Sequence, residues 1–406
     1  MIEQSFGKNY SQFVNVLIFI FPVVINSLKV AGDLVLFVLA MMGVFVAISQ
    51  KLSPFIIKEI KVFSYLTSGY FFTVCLSVIF SDKSAELAHF ISRDLYFLFA
   101  PFIALSLYKA KINVNYLLTG VKVGLIVIGI VMFNQLEAGY HRTSDNMSPV
   151  IFGNLTVSMF FIVLAFFHKE QFKHKIFTSI SLLSGFFAIV QIGSRASWLS
   201  LLLLLGFYFY FYYKNKISKK IPILFVLFIA LFVLSVFNFS QYANHKINLA
   251  YTQTSNYLSG DNELNSVSER LETYKFAIEN IKDIPFFGYG LRTSNIVLSE
   301  KTSNANIKRS LSYNHLHNAY LTNLYNGGIP LFVALLFLLL TPFRIFIKAN
   351  RENDDEPVFI AGSLLTMSFI FHGIFGPTFG GVFMNAFYVF FLAIFLILSA
   401  KSTKVL

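Results

Sequence analysis

One arginine and one histidine lie at the boundaries of apolar runs long enough to cross a membrane, and a second arginine lies in the polar segment between such runs. Arg195 separates two such runs, and His317 directly precedes a third. Arg270 lies between them in the long polar segment Phe239–Leu316. Guanidinium groups stay charged and bind phosphate oxygens bidentately, whereas a neutral imidazole accepts a proton. These residue types in these places predict chemistry on a charged, lipid-linked substrate at a membrane surface.

Each of the three residues also has a purely structural interpretation. Arg195 can extend towards lipid phosphates while Trp198 anchors the helix at the interface. Arg270 can be a solvated surface arginine, and His317 can anchor a helix end. A metal site is not predicted, because His315 and His317 are two residues apart and no cysteine or carboxylate cluster accompanies them. The residue pattern alone leaves catalysis and anchoring open.

The elements that position these residues are predicted to be membrane helices. Of the 406 residues, 56% are hydrophobic, only 13% are charged and 50 are phenylalanine, which is far from the composition of a soluble domain. Apolar runs of roughly 16–22 residues, long enough to cross the hydrocarbon layer as helix, recur along the chain. The roughly twelve predicted spans are Phe13–Leu28, Val30–Ile48, Val62–Phe80, Leu95–Leu107, Tyr116–Asn134, Val150–Phe167, Ile176–Ile192, Ala196–Tyr213, Ile221–Phe239, Asn318–Leu340, Val358–Phe375 and Val382–Leu398. We therefore expect an all-α integral membrane protein.

The basic residues predict which side of the membrane each connection faces. The net charge of +12 lies mostly in alternate connections, a distribution that fits membrane topology rather than a nucleic-acid-binding surface. By the positive-inside rule those connections and both chain ends are cytoplasmic, and Phe239–Leu316 faces outward. We expect three regions: a bundle of about nine helices over residues 1–239, a large outer loop with amphipathic helices over 240–316, and about three membrane helices over 317–406.

A helix is predicted inside the outer loop. Ser266 and Glu269 have the spacing of a capping box, and the helix is expected to end near Lys282. Its apolar stripe consists of Val267, Leu271, Tyr274, Ile278 and Ile281. Such a helix lies on the bilayer or covers a cavity beneath it. His317 is predicted to occupy the first turn of the next membrane helix, where desolvation and neighbouring arginines keep its imidazole neutral.

Taken together, these segments resemble the O-antigen ligase and O-antigen polymerase superfamily of bacterial envelope glycosyltransferases. The resemblance covers the whole arrangement of membrane spans with one large outer loop, and it is strongest over Gly193–Trp198 and Ser268–Leu331. Ligases of this superfamily carry a histidine followed by Asn, Ser or Gln, then nine residues, then Gly-x-x-Gly. His317 and Asn318 begin a match to this pattern, and Leu331 stands where the final glycine would be.

The resemblance implies a GT-C-like fold and transfer of an O-antigen glycan from undecaprenyl pyrophosphate to the lipid A–core oligosaccharide. The reaction would take place at the periplasmic face of a bacterial inner membrane, with inversion at the sugar and without a metal or other cofactor. The resemblance gives catalytic roles to Arg195 and Arg270 as pyrophosphate ligands and to His317 as general base. Further candidates for substrate binding are Arg142, Arg292, Asn318 and Tyr274. The expected partners are the lipid-linked donor, the lipid acceptor and membrane lipid, with no nucleic acid.

Two other functions stay open. A polymerase of the same superfamily would use the same arginines to join repeat units on one lipid carrier, and Leu331 leaves the choice between ligase and polymerase undecided. A lipid-linked oligosaccharide flippase or transporter usually keeps ionisable residues near the midplane of the bilayer. Here the charged residues cluster at span ends, with Lys122 the most ambiguous, which favours an enzyme.

Overall fold

The protein is helical throughout the part that the computed structural model describes, which is residues 2–26, 28, 30–81, 87–138, 148–214, 227, 230, 234, 241–260, 265–291, 293–312, 315–352, 357–376 and 378–402. No strand occurs in these residues. Eight of their helices are long and apolar enough to cross a membrane. The chain is therefore a multi-pass membrane protein.

The α-helices of the described residues fall into two series, one before and one after residues 215–240. The first series is α1 (Ile2–Val24), α2 (Ala31–Ser49), α3 (Lys58–Val78), α4 (Leu87–Lys109), α5 (Val114–Glu137), α6 (Pro149–Phe166), α7 (Phe172–Ile192) and α8 (Arg195–Lys214). The second is α9 (Gln241–Leu258), α10 (Ser268–Glu279), α11 (Thr293–Glu300), α12 (Ala305–Leu311), α13 (Ala319–Glu352), α14 (Pro357–Phe375) and α15 (Val382–Ser402). Short 3-10 turns, Phe167–Lys169 and Ile281–Asp283, follow α6 and α10.

A described helix lies at every predicted span except Ile221–Phe239, which falls outside the described residues apart from positions 227, 230 and 234. Helix α4 begins at Leu87 rather than at the predicted Leu95. The apolar run marks only part of this helix, because Arg93 and Asp94 lie within it. The total of roughly twelve spans and the outward placement of the polar segment stay predictions.

Helices α6, α14 and α15 form the interior of the bundle. Within their apolar spans 78%, 72% and 83% of the residues are buried, against 39% for α2. Aromatic side chains fill this interior, including Phe369 and Tyr388, whose ring centroids are 4.5 Å apart. The peripheral α2 keeps a broad apolar face exposed, as expected of a helix in contact with lipid.

Helix α5 packs closely against α1 because two of its glycines face that helix. A Cβ atom added at Gly120 would lie 2.4 Å from the carbonyl oxygen of Phe19, and one added at Gly124 would lie 2.5 Å from that of Pro22. Small residues four positions apart allow helix backbones to approach in this way.

Lys122 of α5, the most ambiguous charge in the sequence, has a structural partner. Its Nζ atom lies 2.5 Å from Oε1 of Glu170, and both side chains are largely buried. Glu170 also accepts a hydrogen bond from the hydroxyl of Thr178. The lysine therefore belongs to an ion pair that links α5 to the start of α7, and it needs no transport role to explain it.

Helix α13 is broken at Gly328, whose φ of 63° and ψ of −154° are not helical. Pro330 has no N–H group, so the carbonyl of Asn326 cannot receive its usual helical hydrogen bond. The N–H group of Gly290, in the loop after α10, donates to that carbonyl at 2.9 Å. A loop outside the helix thus supplies a donor that the proline removes.

Two further hydrogen bonds join the same loop to the break. The N–H group of Tyr289 donates to the carbonyl of Tyr325, and that of Ile329 donates to the carbonyl of Phe286, both at 2.9 Å. A Cβ atom added at Gly328 would lie only 2.0 Å from the Phe286 oxygen, so the contact needs glycine. The loop after α10 is therefore attached to α13 through the backbone.

The predicted capping box is wrong by one residue. Asn265 Oδ1 accepts a hydrogen bond from the N–H of Ser268 at 3.0 Å, and Ser268 Oγ accepts one from the N–H of Asn265 at 3.2 Å. Glu269 instead forms an ion pair with Arg309 of α12 at 2.9 Å. The reciprocal cap predicted for Ser266 and Glu269 is absent because these side chains bind partners from elsewhere in the fold.

Three of the five residues of the predicted apolar stripe of α10 face outward, whereas Tyr274 is half-buried and contacts the segment before α13. Leu271, Ile278 and Ile281 are exposed, whereas the buried residues of α10 include Thr273 and Ala277. Tyr325 of α13 donates a hydrogen bond of 2.6 Å to the carbonyl of Ala277 and thereby holds this inner face against the membrane helices. An exposed apolar stripe agrees with the expectation that α10 lies on a bilayer surface.

Candidate functional site

A cavity of about 350 Å³ lies where α6, α10 and the segment before α13 meet. Arg270 of α10 lines it together with His315 and His317. Asn154 of α6 and Met384 of α15 contribute to the opposite walls. Two of the three predicted catalytic residues, Arg270 and His317, therefore share one cavity.

The two histidines form a fixed pair. The backbone N–H of His317 donates a hydrogen bond of 3.1 Å to Nδ1 of His315. His317 has a left-handed φ of 53°, which residues other than glycine rarely adopt. The ring centroids lie 4.5 Å apart with planes at 88°. This strained backbone brings both imidazoles to the same cavity, and strain of this kind is concentrated at functional sites.

The sequence predicted that His317 occupies the first turn of the membrane helix. In the structure, His317 lies before that helix. The helix begins at Ala319 because Asn318 caps it: Oδ1 of Asn318 accepts hydrogen bonds from the N–H groups of Tyr320 and Leu321 at 2.9 and 3.0 Å. The segment containing His317 is therefore free to take a non-helical conformation.

Both candidate substrate-binding residues beside the histidines have structural partners. Asn318 donates a hydrogen bond from Nδ2 to the carbonyl of Ile374 at 3.3 Å, in addition to capping α13. The hydroxyl of Tyr274 donates to the carbonyl of His317 at 2.7 Å. Tyr274 thus connects α10 to the strained segment, and substrate contacts by either residue stay a prediction.

Burial and the Arg270 charge favour the neutral form of both imidazoles. Burial lowers the pKa of His315 to about 4, with the positive charge of Arg270 as the second cause. Burial lowers the pKa of His317 to about 3, and His315 and Arg270 contribute further. The predicted neutrality of His317 agrees with these shifts. Because Nδ1 of His315 accepts a hydrogen bond, its proton resides on Nε2.

Among the described residues, the guanidinium group of Arg270 has no hydrogen bond or ion pair. It lies beside a cavity in which Ser148, Asn154 and the two histidines provide the other polar side chains. An unneutralised cation in a partly desolvated cavity creates a favourable place for an anion. The cavity can therefore bind a phosphate group next to a proton acceptor.

Arg195 does not line this cavity, but it is held next to the helix that carries Arg270. Its Nη2 donates to Ser266 Oγ at 2.6 Å and its Nη1 donates to Gln253 Oε1 at 3.3 Å. Two positions along α8, Ser197 Oγ donates to Oδ1 of the cavity residue Asn154 at 3.0 Å. The start of α8 therefore contacts both the cavity wall and the segment that leads into α10.

Arg142 and Arg292, the other predicted substrate-binding residues, lie outside the described residues. Their roles stay predictions.

A second, smaller cavity of about 100 Å³ lies against the same histidine. His315 and Gly380 line both cavities, and the second is also lined by Arg93, Asp94 and Asn323. Asp94 is buried, and its Oδ1 accepts a hydrogen bond from Nδ2 of Asn385 at 3.0 Å. Aromatic walls come from Tyr70 and Phe379. His315 thus lies between the cavity that contains Arg270 and a second cavity that contains both Arg93 and the carboxylate of Asp94.

Sequence reasoning missed His315 and Asp94 as members of the site. A signal for Asp94 was present, because a carboxylate inside a membrane helix is costly unless it has a purpose. His315 was considered only as a metal ligand. Its position between two cavities depends on the hydrogen bond from His317, which spacing cannot reveal.

These features define a multi-pass membrane protein whose candidate site combines a cation with a neutral histidine pair outside its membrane helices. Residues 180–336 match the family described as O-antigen ligase. The matched segment contains Arg195, Arg270, His315 and His317. The match confirms the predicted resemblance to the O-antigen ligase superfamily, and it supports a glycosyltransferase-like membrane enzyme of the ligase or polymerase type.

A relative in Haemophilus influenzae is similar along most of its length. The two chains are 26% identical over 376 residues, which is 90% of this chain and 93% of the relative. That relative is described only as an uncharacterized protein. The likeness therefore extends the shared architecture beyond residues 180–336 without indicating a substrate.

Proposed function

We propose that this protein is an O-antigen ligase that transfers a glycan from undecaprenyl pyrophosphate to the lipid A–core oligosaccharide at the periplasmic face of a bacterial inner membrane. The observation that carries the proposal is the shared cavity of Arg270, His315 and His317. The family match over residues 180–336 supports the class of reaction.

Arg270 binds the pyrophosphate of the donor. As the bond between the sugar C1 and the phosphate oxygen breaks, negative charge grows on the leaving group, and a guanidinium placed there stabilises it. Arg195 supplies a second cation from the start of α8, where Ser266 holds its guanidinium near the segment leading into α10. Two arginines bind pyrophosphate oxygens bidentately, so the reaction proceeds without a metal ion.

His317 accepts the proton of the acceptor hydroxyl. The hydroxyl oxygen attacks C1 from the face opposite the pyrophosphate, the C1–O bond breaks, and its electron pair leaves with the pyrophosphate, which inverts the anomeric centre. With a pKa of about 3, the imidazole of His317 is a weak base before the donor binds. Bound pyrophosphate offsets the charge of Arg270 and stabilises the imidazolium, so donor binding raises the pKa towards a useful value.

The acceptor sugar reaches the histidines from the side of the second cavity. Asp94, Asn323 and Arg93 provide acceptors and donors for sugar hydroxyl groups, and Tyr70 and Phe379 provide aromatic walls. Polar groups that converge in a small aromatic-lined cavity are typical of a specific small-molecule site. Donor and acceptor then meet at His315, which lines both cavities.

A polymerase that joins two lipid-linked repeat units is the second candidate, because Leu331 occupies the position of the last motif glycine. Leu331 is buried and lines the second cavity. A side chain there changes the space open to the acceptor, and the acceptor is what distinguishes the two enzymes. Gene deletion separates them: loss of a ligase leaves long glycan on the carrier, whereas loss of a polymerase leaves core capped by one repeat unit.

The proposed reaction is tested with purified protein in detergent, undecaprenyl-pyrophosphate glycan and purified lipid A–core, with and without EDTA. We expect transfer that EDTA does not reduce, and loss of transfer in Arg270→Ala and His317→Ala. Arg344→Ala and His174→Ala are matched controls at exposed positions that line neither cavity. Normal transfer by both site variants at normal protein level would defeat the mechanism.

A further inference from the structure

A large cavity of about 980 Å³ lies at the opposite end of the bundle from the histidines. Helix α4 joins the two ends. Arg93 near its beginning lines the second cavity beside His315, whereas Lys109 at its last turn lines the large one. The helix between them rises about 24 Å at 1.5 Å per residue. No residue lines both the large cavity and the candidate site.

The large cavity is cationic. Lys8 of α1, Lys109 of α4 and Lys111 of the following loop line it, and none of its described lining residues carries a carboxylate. No ion pair among the described residues involves these three lysines. Like charges around one concave space repel one another unless an anion lies between them, so the cavity favours a negatively charged ligand.

The frame that carries the lysines is fixed by hydrogen bonds. Nδ2 of Asn15 in α1 donates to the carbonyl of Lys111 at 3.1 Å, and Oδ1 of Asn15 accepts from the N–H of Asn113 at 2.8 Å. The hydroxyl of Tyr10 donates to the carbonyl of Ser106 at 3.2 Å. The α4–α5 loop is thereby attached to α1, and the close glycine contacts between α1 and α5 hold the same wall. The cavity is a built feature of the helix ends.

An apolar track leads into this cavity along α2. Phe45 and Val46 form part of its wall. Towards the beginning of α2, the side chains at positions 34, 37 and 41 continue the line at helical spacing, and they are more than half exposed, as is Phe45. A free phosphate ion would use only the lysines, whereas a phospholipid uses both the cations and the apolar track.

We infer that this cavity binds the phosphate headgroup of an anionic phospholipid, with an acyl chain along the exposed face of α2. Basic pockets between membrane helices bind anionic headgroups by this combination of charge and apolar contact. By the positive-inside rule the site faces the cytoplasm, away from the proposed transfer reaction. The inference does not depend on the proposed function.

Native mass spectrometry of the purified full-length protein tests the site, with phosphatidylglycerol and phosphatidylethanolamine as probes. The cavity variant replaces Lys8, Lys109 and Lys111 with Gln. A control variant with the same change of charge replaces Lys61, Lys169 and Lys173, which are exposed and do not line the cavity. A third variant replaces the cavity lysines with Arg, and size-exclusion chromatography checks that all variants fold.

The wild type should bind phosphatidylglycerol at least about tenfold more tightly than phosphatidylethanolamine, and the cavity variant should lose that preference. The control variant and the Arg variant should keep it. Equal loss in the cavity and control variants would mean general surface attraction and would overturn the site. Equal binding of the two lipids by the wild type would also overturn the site. Loss of lipid binding in the presence of millimolar inorganic phosphate alone would overturn it as well.

Discussion

The backbone N–H of His317 donates a hydrogen bond of 3.1 Å to Nδ1 of His315. This bond places the proton of His315 on Nε2 and holds the two rings almost perpendicular, with planes at 88°. His315 lines both cavities, whereas His317 lines only the one that contains Arg270. The two imidazoles therefore have different surroundings. His317 faces only the proposed pyrophosphate site, whereas His315 also borders the proposed acceptor site.

Replacement of the two histidines should have different consequences. His317→Ala removes the proposed base, and we expect kcat to fall by about 10²–10⁴-fold with little change in donor affinity. His315→Ala removes a side chain from both cavities, so it should raise KM for the acceptor as well as lower kcat. Steady-state transfer assays with each substrate varied in turn distinguish these patterns. Unchanged acceptor KM in His315→Ala would argue against the second cavity as the acceptor site.

The pH dependence of transfer should reveal the lowered histidine pKa values. The neutral imidazole is the basic form, so activity that depends on it falls as the pH drops through its pKa. In the free enzyme the pKa values of His315 and His317 are lowered to about 4 and about 3, so histidine protonation should not reduce kcat/KM until about pH 4. Bound pyrophosphate raises the pKa, and the acid limb of kcat should lie at higher pH. Initial rates between about pH 3 and about pH 8 cover both limbs, and a kcat/KM limb near 6.5 contradicts the buried geometry.

Neutralising either site arginine should weaken stabilisation of the leaving group. Arg195→Gln and Arg270→Gln should each reduce kcat by about 10²–10³-fold, as loss of a donor to developing charge typically does. Ser266→Ala removes the 2.6 Å contact to Arg195 but leaves the charge of Arg195, so it should lower kcat by less than about tenfold. Arg344→Gln serves as the exposed control. A Ser266→Ala defect as large as that of Arg195→Gln would mean that Arg195 acts through structure rather than on pyrophosphate.

The broken helix predicts a stability contrast between two glycines. Gly328→Ala places a Cβ atom 2.0 Å from the Phe286 carbonyl oxygen at a φ of 63°, and it should destabilise the protein by at least about 2 kcal/mol. Gly206→Ala in α8 meets no atom within 4 Å, so it should be neutral or stabilise by up to about 1 kcal/mol. Thermal unfolding in detergent measures both. Equal midpoints for the two variants would disprove the attachment of the loop after α10 to α13.

The fold was predictable from sequence where it depends on apolar length. Runs such as Val382–Leu398 predicted the membrane helices, because a span needs a nearly continuous apolar segment. The ends of the helices were harder to predict from the sequence. Asn265 rather than Ser266 caps α10, since Ser266 binds Arg195 across a sequence distance that local spacing does not encode.

The site was predictable in its residue types but not in its arrangement. Arg270 and His317 share a cavity as their chemistry indicated, yet His317 reaches it through a left-handed backbone placed before the helix. The pairing of the loop after α10 with the break at Gly328 depends on hydrogen bonds between segments about 40 residues apart. Asp94 entered the site only through tertiary packing of α4.

The most direct measurement is single-turnover transfer combined with donor binding, using purified wild type, Arg270→Ala, His317→Ala and the double variant. Arg270→Ala should weaken donor binding and slow transfer, His317→Ala should slow transfer while donor affinity stays near normal, and the double variant should be less impaired than the product of the single effects because both residues act in one cavity. Wild-type transfer rates in both single variants, or independent and fully multiplicative effects, would contradict a shared site.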